Sequence, residues 1–307
     1  MERYVLGLDI GGTNIRIAMR TRNGQAKHFH CVPRTSILSG KNSLLLLAQF
    51  IEKYIAEHGA GQRPENIVLG FPATINAARK IILQAPNIPG LDGIPAADQM
   101  EQLLHLPVYL EKDVNLLFYS DMEDLCLPEN GIGIGVYVGT GIGHAIFLNG
   151  RPLSGKNGVS GELGHIPRAG GNEPCGCGNL GCAECYASGW KLVQLRDQLF
   201  PTEEMSALFS SHADNPKMAD YVDQIACTIA AEINILDPDY IVLGGGVINM
   251  PDFPVKALED KIYQHTRKPY PADNLQFYYS KDTVENGVRG ALSLGWKKAM
   301  QNIATTK

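Results

Sequence analysis

One pattern occurs twice in this chain and narrows its possible folds more than any other: a short β-rich run that breaks into a glycine turn and resumes. Tyr4 to Asp9 opens into Ile10-Gly11-Gly12-Thr13-Asn14 and resumes as Ile15 to Arg20. Ile132 to Val138 opens into Gly139-Thr140-Gly141-Ile142-Gly143 and resumes as Ala145 to Leu148. Two apolar runs joined through glycines predict a β-hairpin, and the echo of the first hairpin in the second half predicts a duplicated lobe. The 307 residues suffice for two such lobes at about 150 residues per domain.

Between the hairpins, apolar residues recur at Leu44, Leu47, Ala48, Ile51, Tyr54 and Ile55, a helical stripe ended by Gly59. Ile67 to Phe71 reads as a buried strand stopped by Pro72, and Val108 to Leu110 as another. Val114 to Leu125 reads as a helix, which puts Asp113 at a strand-to-helix junction. Beyond the second hairpin, helices are predicted over Ala187 to Leu199, Met218 to Leu236 and Glu285 to Met300, with a buried strand at Tyr240 to Leu243. The division expected from this order is a lobe of residues 1–114, completed by the helix 285–300, and a lobe of residues 115–284.

Glycines at a hairpin mouth let backbone N–H groups approach an anion, because no Cβ stands in the way. Gly11, Gly12, Thr13 and Asn14 in one turn, and Gly139, Thr140, Gly141 and Gly143 in the other, are therefore candidate phosphate contacts. Asp9 precedes the first turn, where a carboxylate suits a hydrated Mg2+ that bridges phosphates. Neither turn is a P-loop, and no dinucleotide fingerprint follows a strand and opens a helix. Gly244-Gly245-Gly246, after the predicted strand, would let a nucleotide's adenine or ribose lie against bare backbone.

The stretch Gly155 to Cys185 is too long and too patterned for an idle connector. It holds Cys175-Gly176-Cys177-Gly178-Asn179-Leu180-Gly181-Cys182, with His165 ten residues earlier. Three thiolates and an imidazole close a tetrahedral zinc shell with no open position, so the expected Zn2+ is structural. Cys185 is a rival fourth ligand, since Cys182-x-x-Cys185 also has ligand spacing.

Four of the 7 cysteines fall in that stretch and Cys31, Cys126 and Cys227 are scattered, which suits a reduced compartment. A formal net charge of -5 argues against a nucleic-acid partner, which needs clustered Lys and Arg. No apolar run approaches the roughly 20 residues that cross a bilayer, and the first strand leaves no room for a signal peptide. The expected location is cytoplasmic, with no membrane partner.

Asp9-Ile10-Gly11-Gly12-Thr13, Gly161-Glu162-Leu163-Gly164-His165 and the cluster from Cys175 to Glu184 together resemble the ROK family of bacterial sugar kinases and repressors, in order and spacing along nearly the whole chain. The resemblance implies an α/β fold of two lobes, the actin-like ATPase or ribonuclease H-like fold, with a zinc-binding loop. It points to the kinase branch, to ATP, Mg2+ and a small sugar as ligands, and to a homodimer. It makes Asp113, in Glu111-Lys112-Asp113-Val114-Asn115, the catalytic base that accepts a proton from the attacking sugar hydroxyl. Glu162, His165 and Glu184, with Asn87 and Asn115, match the family's sugar-binding positions. The sequence departs from the family where Gly70-Phe71-Pro72-Ala73 replaces Gly-x-Pro-Gly, where Lys112 stands for the common Asn, and where no tryptophan follows Pro86-Asn87. With Leu243 to Val247 and Met250-Pro251-Asp252-Phe253-Pro254, these features are most similar to members that phosphorylate D-allose at its 6-hydroxyl.

Overall fold

The computed structural model describes residues 2–38, 40–281 and 283–305. Its chain forms two compact units. The first runs through Leu127, takes in Ser154–Ser160, and resumes at Thr283. Its elements are β1 (Tyr4–Ile10), β2 (Asn14–Thr21), β3 (Lys27–Pro33), α1 (Ser43–His58), β4 (Ile67–Phe71), β5 (Thr74–Ile75), β6 (Ile82–Gln84), α2 (Ala96–Leu104), β7 (Val108–Lys112) and α3 (Asp113–Asp124), with a C-terminal helix, Asn286–Thr305. The sheet order is β3-β2-β1-β4-β7. The hairpin strands pair antiparallel, and β1, β4 and β7 run parallel.

Side chains of β1 alternate across this sheet as the twofold period of a strand requires. Tyr4, Leu6, Leu8 and Ile10 join the core that includes Leu47, Ile51 and Ile55 of α1 and Met100 of α2. Val5 instead packs with Val288, Leu292 and Trp296 of the C-terminal helix. That second face is closed by glycines. A Cβ on Gly7 would come 2.9 Å from the Val288 carbonyl oxygen, and one on Gly70 would come 2.3 Å from Leu116 Cδ1. On Gly290 of the C-terminal helix it would overlap the Leu116 carbonyl oxygen of α3, at 1.7 Å. Helix against helix and helix against strand therefore meet backbone to backbone. The same contact explains why α3 belongs with the first unit rather than dividing at residue 114.

The second unit comprises Pro128–Leu153 and Gly161 to residue 282. Its elements are β8 (Ile132–Val138), β9 (Ile142–Leu148), β10 (Arg151–Pro152), α4 (Glu184–Ala187), α5 (Gly189–Leu199), α6 (Leu208–His212), α7 (Pro216–Leu236), β11 (Tyr240–Gly244), α8 (Val255–His265) and β12 (Phe277–Tyr279). The sheet order β10-β9-β8-β11-β12 repeats that of the first unit, antiparallel hairpin and parallel strands included. The echo seen in the sequence is thus an echo of topology. The helix predicted over Ala187 to Leu199 is interrupted at Ser188, whose φ of -108° and ψ of 169° are extended. Two tertiary bonds hold it there: Tyr221 donates to the Ser188 carbonyl at 3.0 Å, and the Gly189 N–H donates to the Gly139 carbonyl at 2.7 Å. Among the described residues no helix is long and apolar enough to cross a membrane.

Gly290→Ala should therefore destabilise the protein, because the clash is with main chain and cannot be relieved by a rotamer change. The expected loss is about 3 kcal/mol, a fall in Tm of roughly 6–12 °C by differential scanning calorimetry; an unchanged Tm would mean that the two helices are not so close.

Candidate functional site

In the first unit the parallel strands bring their carboxyl ends to one edge of the sheet, with Asp9, Gly70 and Glu111 in one register row. Such edges are where open α/β sheets hold ligands. Asp9 Oδ2 accepts a hydrogen bond from Arg16 Nη1, its cross-strand partner, at 3.0 Å. Behind it, a Cβ on Gly287 would lie 2.6 Å from Asp9 Cγ, so the start of the C-terminal helix abuts the carboxylate. Burial raises the proton affinity of Asp9 and the Arg16 charge only partly offsets it.

Asp113 is the first residue of α3, and its Oδ1 accepts the Val114 N–H at 2.8 Å. Its pKa is raised from 3.8 to about 6, chiefly by burial and next by the negative charge of Asp9, against the Val114 N–H and the Lys112 charge. Part of its surface remains open. A carboxylate of this kind binds a proton near neutral pH, as a general base must. Asn115, two residues on, is buried, and its Nδ2 donates to Glu111 Oε1 at 2.8 Å. Asn87 is exposed, in a turn closed by the Ile88 N–H on the Ala85 carbonyl at 2.9 Å.

The glycine turns are open where side chains would stand. At Gly12 and Gly139 a Cβ would meet nothing within 4 Å, and neither residue has positive φ. The same holds at Gly246. Neither packing nor backbone geometry within the chain calls for the missing side chain, so it leaves room for something outside the chain, as phosphate or nucleotide contact would require. In the first turn the Gly11 N–H donates to the Asn14 carbonyl at 2.9 Å, and Arg34 Nε donates to the Gly12 carbonyl at 2.7 Å. Thr13 is exposed beside them. Arg34 lies outside the turn motif and escaped sequence reasoning; nothing in its local sequence marks it.

In the second unit the turn from Gly139 to Gly143 and the triple glycine come together. Gly245 has a φ of +90°, and a Cβ there would lie 2.6 Å from the Val138 backbone. The Trp190 N–H donates to the Thr140 carbonyl at 3.1 Å, which ties the first turn of α5 to the glycine turn. Glu184 Oε2 approaches the same turn, 2.9 Å from where a Cβ on Gly141 would sit.

His165, Cys175, Cys177 and Cys182 place one ligand atom each within 4.8 Å of all the others. Cys177 Sγ and Cys182 Sγ are 3.6 Å apart, and so are Cys175 Sγ and His165 Nδ1. A tetrahedral zinc with bonds of about 2.3 Å separates its sulfurs by about 3.8 Å, so the four donors fit that ion. Cys185 is outside this set: its thiol faces the Pro174 carbonyl at 3.6 Å. The loop closes by crossing itself, with the Gly181 N–H on the Glu173 carbonyl and the Arg168 N–H on the Gly181 carbonyl, both at 2.8 Å. Burial raises the proton affinity of Cys175, whereas the Asn179 N–H lowers that of Cys177. Glu184 Oε1 lies 3.2 Å from Cys175 Sγ and 3.5 Å from His165 Nδ1, and His165 Nε2 is 4.0 Å from Glu162 Oε2. Glu162, His165 and Glu184 thus form one polar group against the cysteine cluster.

The ROK family profile matches residues 5–298. The chain belongs to the ROK family. A glucokinase of Halalkalibacterium halodurans is 28% identical over 100% of this chain and 98% of its own length. An N-acetyl-D-glucosamine kinase of Escherichia coli O157:H7 is 28% identical over 84% of this chain and 89% of its own. Among solved structures, a ROK hexokinase from Thermus thermophilus superposes with a TM-score of 0.79 at 28% identity, covering 97% of this chain and 99% of its own. A ROK family transcriptional regulator, a homolog of the E. coli MLC protein, reaches 0.83 at 23% identity, covering 98% and 79%, and shows the fold alone. The two similar sheets are thus the mixed α/β architecture of ROK proteins, in the actin-like ATPase class.

The raised pKa of Asp113 has a measurable cost. Between about pH 4 and 6 the folded protein holds a proton that the unfolded chain has released, so stability falls as pH rises through that window. The penalty is complete above about pH 6 and absent below about pH 4. Asp113→Asn, which keeps the acceptor for the Val114 N–H, should stabilise the fold at pH 8 by about 2 kcal/mol after allowance for partial exposure. The two proteins should converge near pH 4 in denaturant titrations; a variant no more stable than the parent at pH 8 would show that Asp113 is not desolvated.

Proposed function

We propose that this chain is an ATP-dependent sugar kinase that transfers the γ-phosphoryl group of ATP to the 6-hydroxyl of an aldohexose, D-allose giving D-allose 6-phosphate. The observation that carries the reading is Asp113, a carboxylate at a strand-to-helix junction with a pKa of about 6. Positioned at the 6-hydroxyl, it takes the proton as that oxygen attacks phosphorus, so no free alkoxide need form. The glycine turns at Gly11–Gly12 and Gly139–Gly141 take the phosphates through backbone N–H groups, with the hydroxyls of Thr13 and Thr140 beside them. Gly244, Gly245 and Gly246 take the nucleoside. Asp9 would hold Mg2+ through water; the bound ion neutralises charge on the phosphates. His165, Cys175, Cys177 and Cys182 would hold Zn2+, which with four protein ligands supplies structure rather than hydrolytic chemistry.

Asn87, Asn115, Glu162, His165 and Glu184 are assigned to the sugar hydroxyls. Carboxylates and amides suit this task because each can pair with adjacent hydroxyls, and a pocket of buried polar groups rejects a sugar that leaves one unpaired. Glucose and N-acetylglucosamine, which the relatives' names carry, are the alternative acceptors, along with fructose and N-acetylmannosamine. D-allose is preferred because the departures at Ala73 and Lys112, taken with Leu243 to Val247 and Met250 to Pro254, are most similar to family members that phosphorylate it. A sugar-sensing regulator on the same fold has no use for the desolvated base at Asp113.

ATP consumption with Mg2+ across allose, glucose, mannose, fructose, N-acetylglucosamine and N-acetylmannosamine tests the reading. A kcat/KM for allose at least about tenfold above the others is expected; preference for another sugar discards allose, and no turnover with any sugar discards the kinase. In the same assay Cys177→Ser should lose bound zinc, measured by mass spectrometry, together with sugar affinity.

A further inference from the structure

The buried carboxylate of Glu111 has no part in the chemistry so far, yet one of its oxygens is the meeting point of three donors. Glu111 Oε1 accepts the Lys112 backbone N–H at 2.9 Å and Asn115 Nδ2 at 2.8 Å, and lies 3.2 Å from Arg79 Nη2. The two hydrogen-bonded residues flank Asp113 in sequence. The side chain of Glu111 is 5% exposed and that of Arg79 16%, so this charge pair is not a surface ornament of negligible value.

Arg79 reaches Glu111 from the turn between β5 and β6, which is built to hold it. Its N–H donates to the Asn76 carbonyl at 2.8 Å, and Asn76 Oδ1 accepts the N–H groups of Lys80 and Ile81 at 2.9 and 3.1 Å. Arg79 itself has a φ of 55°, the left-handed region that a non-glycine residue rarely occupies. The segment Ser154–Ser160 is fastened to the same place. Arg79 Nη2 donates to Ser154 Oγ at 3.3 Å, Lys112 Nζ to the Ser160 carbonyl at 3.5 Å, and a Cβ on Gly158 would lie 2.0 Å from the Ile75 carbonyl oxygen.

We infer that Glu111 and Arg79 are positioning residues for the phosphoryl transfer: their ion pair fixes the first turn of α3, and with it the direction of Asp113 and the amide of Asn115. The inference rests on the kinase reading for its kinetic consequence but not for its structural one. With Nδ2 committed to Glu111, Asn115 turns its Oδ1 away from Glu111 and can only accept from a sugar hydroxyl there. Loosening the pair frees that amide to flip and lets Asp113 wander from the attacking oxygen, and small misplacements of a catalytic group carry large rate penalties.

The test compares Glu111→Gln, Arg79→Ala and Arg79→Lys in the full chain. In the preferred sugar's assay, Arg79→Ala and Glu111→Gln should lose at least about tenfold in kcat with the KM for ATP within about twofold, and Arg79→Lys should recover part of the loss. A purely structural role would instead lower Tm and leave kcat per folded molecule unchanged, and that result overturns the proposal. Hydrogen–deuterium exchange over residues 110–116 provides the second readout, independent of turnover. Arg79→Ala should speed exchange there at least about tenfold in folded protein, and unchanged exchange overturns the proposal even if the wild type turns over no sugar. Absence of sugar-dependent turnover in the wild type, with exchange accelerated in the variant, would contradict the kinase reading alone.

Discussion

Keeping a carboxylate away from water is costly, and the first unit does it at Asp9, Glu111 and Asp113 on one sheet edge. Asp9 and Asp113 each gain proton affinity from burial, and the charge of Asp9 raises that of Asp113 further. The surrounding architecture makes this tolerable without discharging it. Arg16 pairs with Asp9 and not with Asp113, so the two carboxylates are unequal. One is steadied by a cation; the other is left near the point of accepting a proton. An unequal pair of this kind lets one group stay charged while its neighbour exchanges protons.

That edge is backed by close packing at glycines. Gly7 and Gly290 let the C-terminal helix close on β1 and on α3 to backbone distance, and Gly70 and Gly287 leave room for the side chains of Leu116 and Asp9. A helix drawn from the far end of the sequence thereby becomes the rear wall of the carboxylate edge. Gly12, Gly139 and Gly246 have the opposite environment: open space where a side chain would be. Glycine thus meets interior packing at one set of positions and open space at the other, and only the structure distinguishes them.

Much of this was legible in the chain. β4 and β8 are legible to their ends because each is a β-rich run stopped by proline or glycine, and the two hairpins imply two sheets of one topology. The four metal-ligand candidates follow from cysteine spacing, and the structure separates them from Cys185. Features set by distant partners were not legible. The break at Ser188 depends on Tyr221 and Gly139. β3 is a largely exposed edge strand with no buried residue to set an alternation. The role of Arg79 depends on Glu111, 32 residues away along the chain but paired with it in space.

The central claim is that Asp113 is the base, and the pH dependence of kcat/KM for the preferred sugar tests it most directly. Protonation removes the base, so activity should fall as pH drops through a single ionisation near 6, the value that burial and Asp9 impose. Arg16→Gln, which takes the cation from Asp9, should move that midpoint, because Asp9 acts on Asp113 by charge. A profile flat from pH 8 down to pH 5, in protein shown to remain folded, would contradict the account.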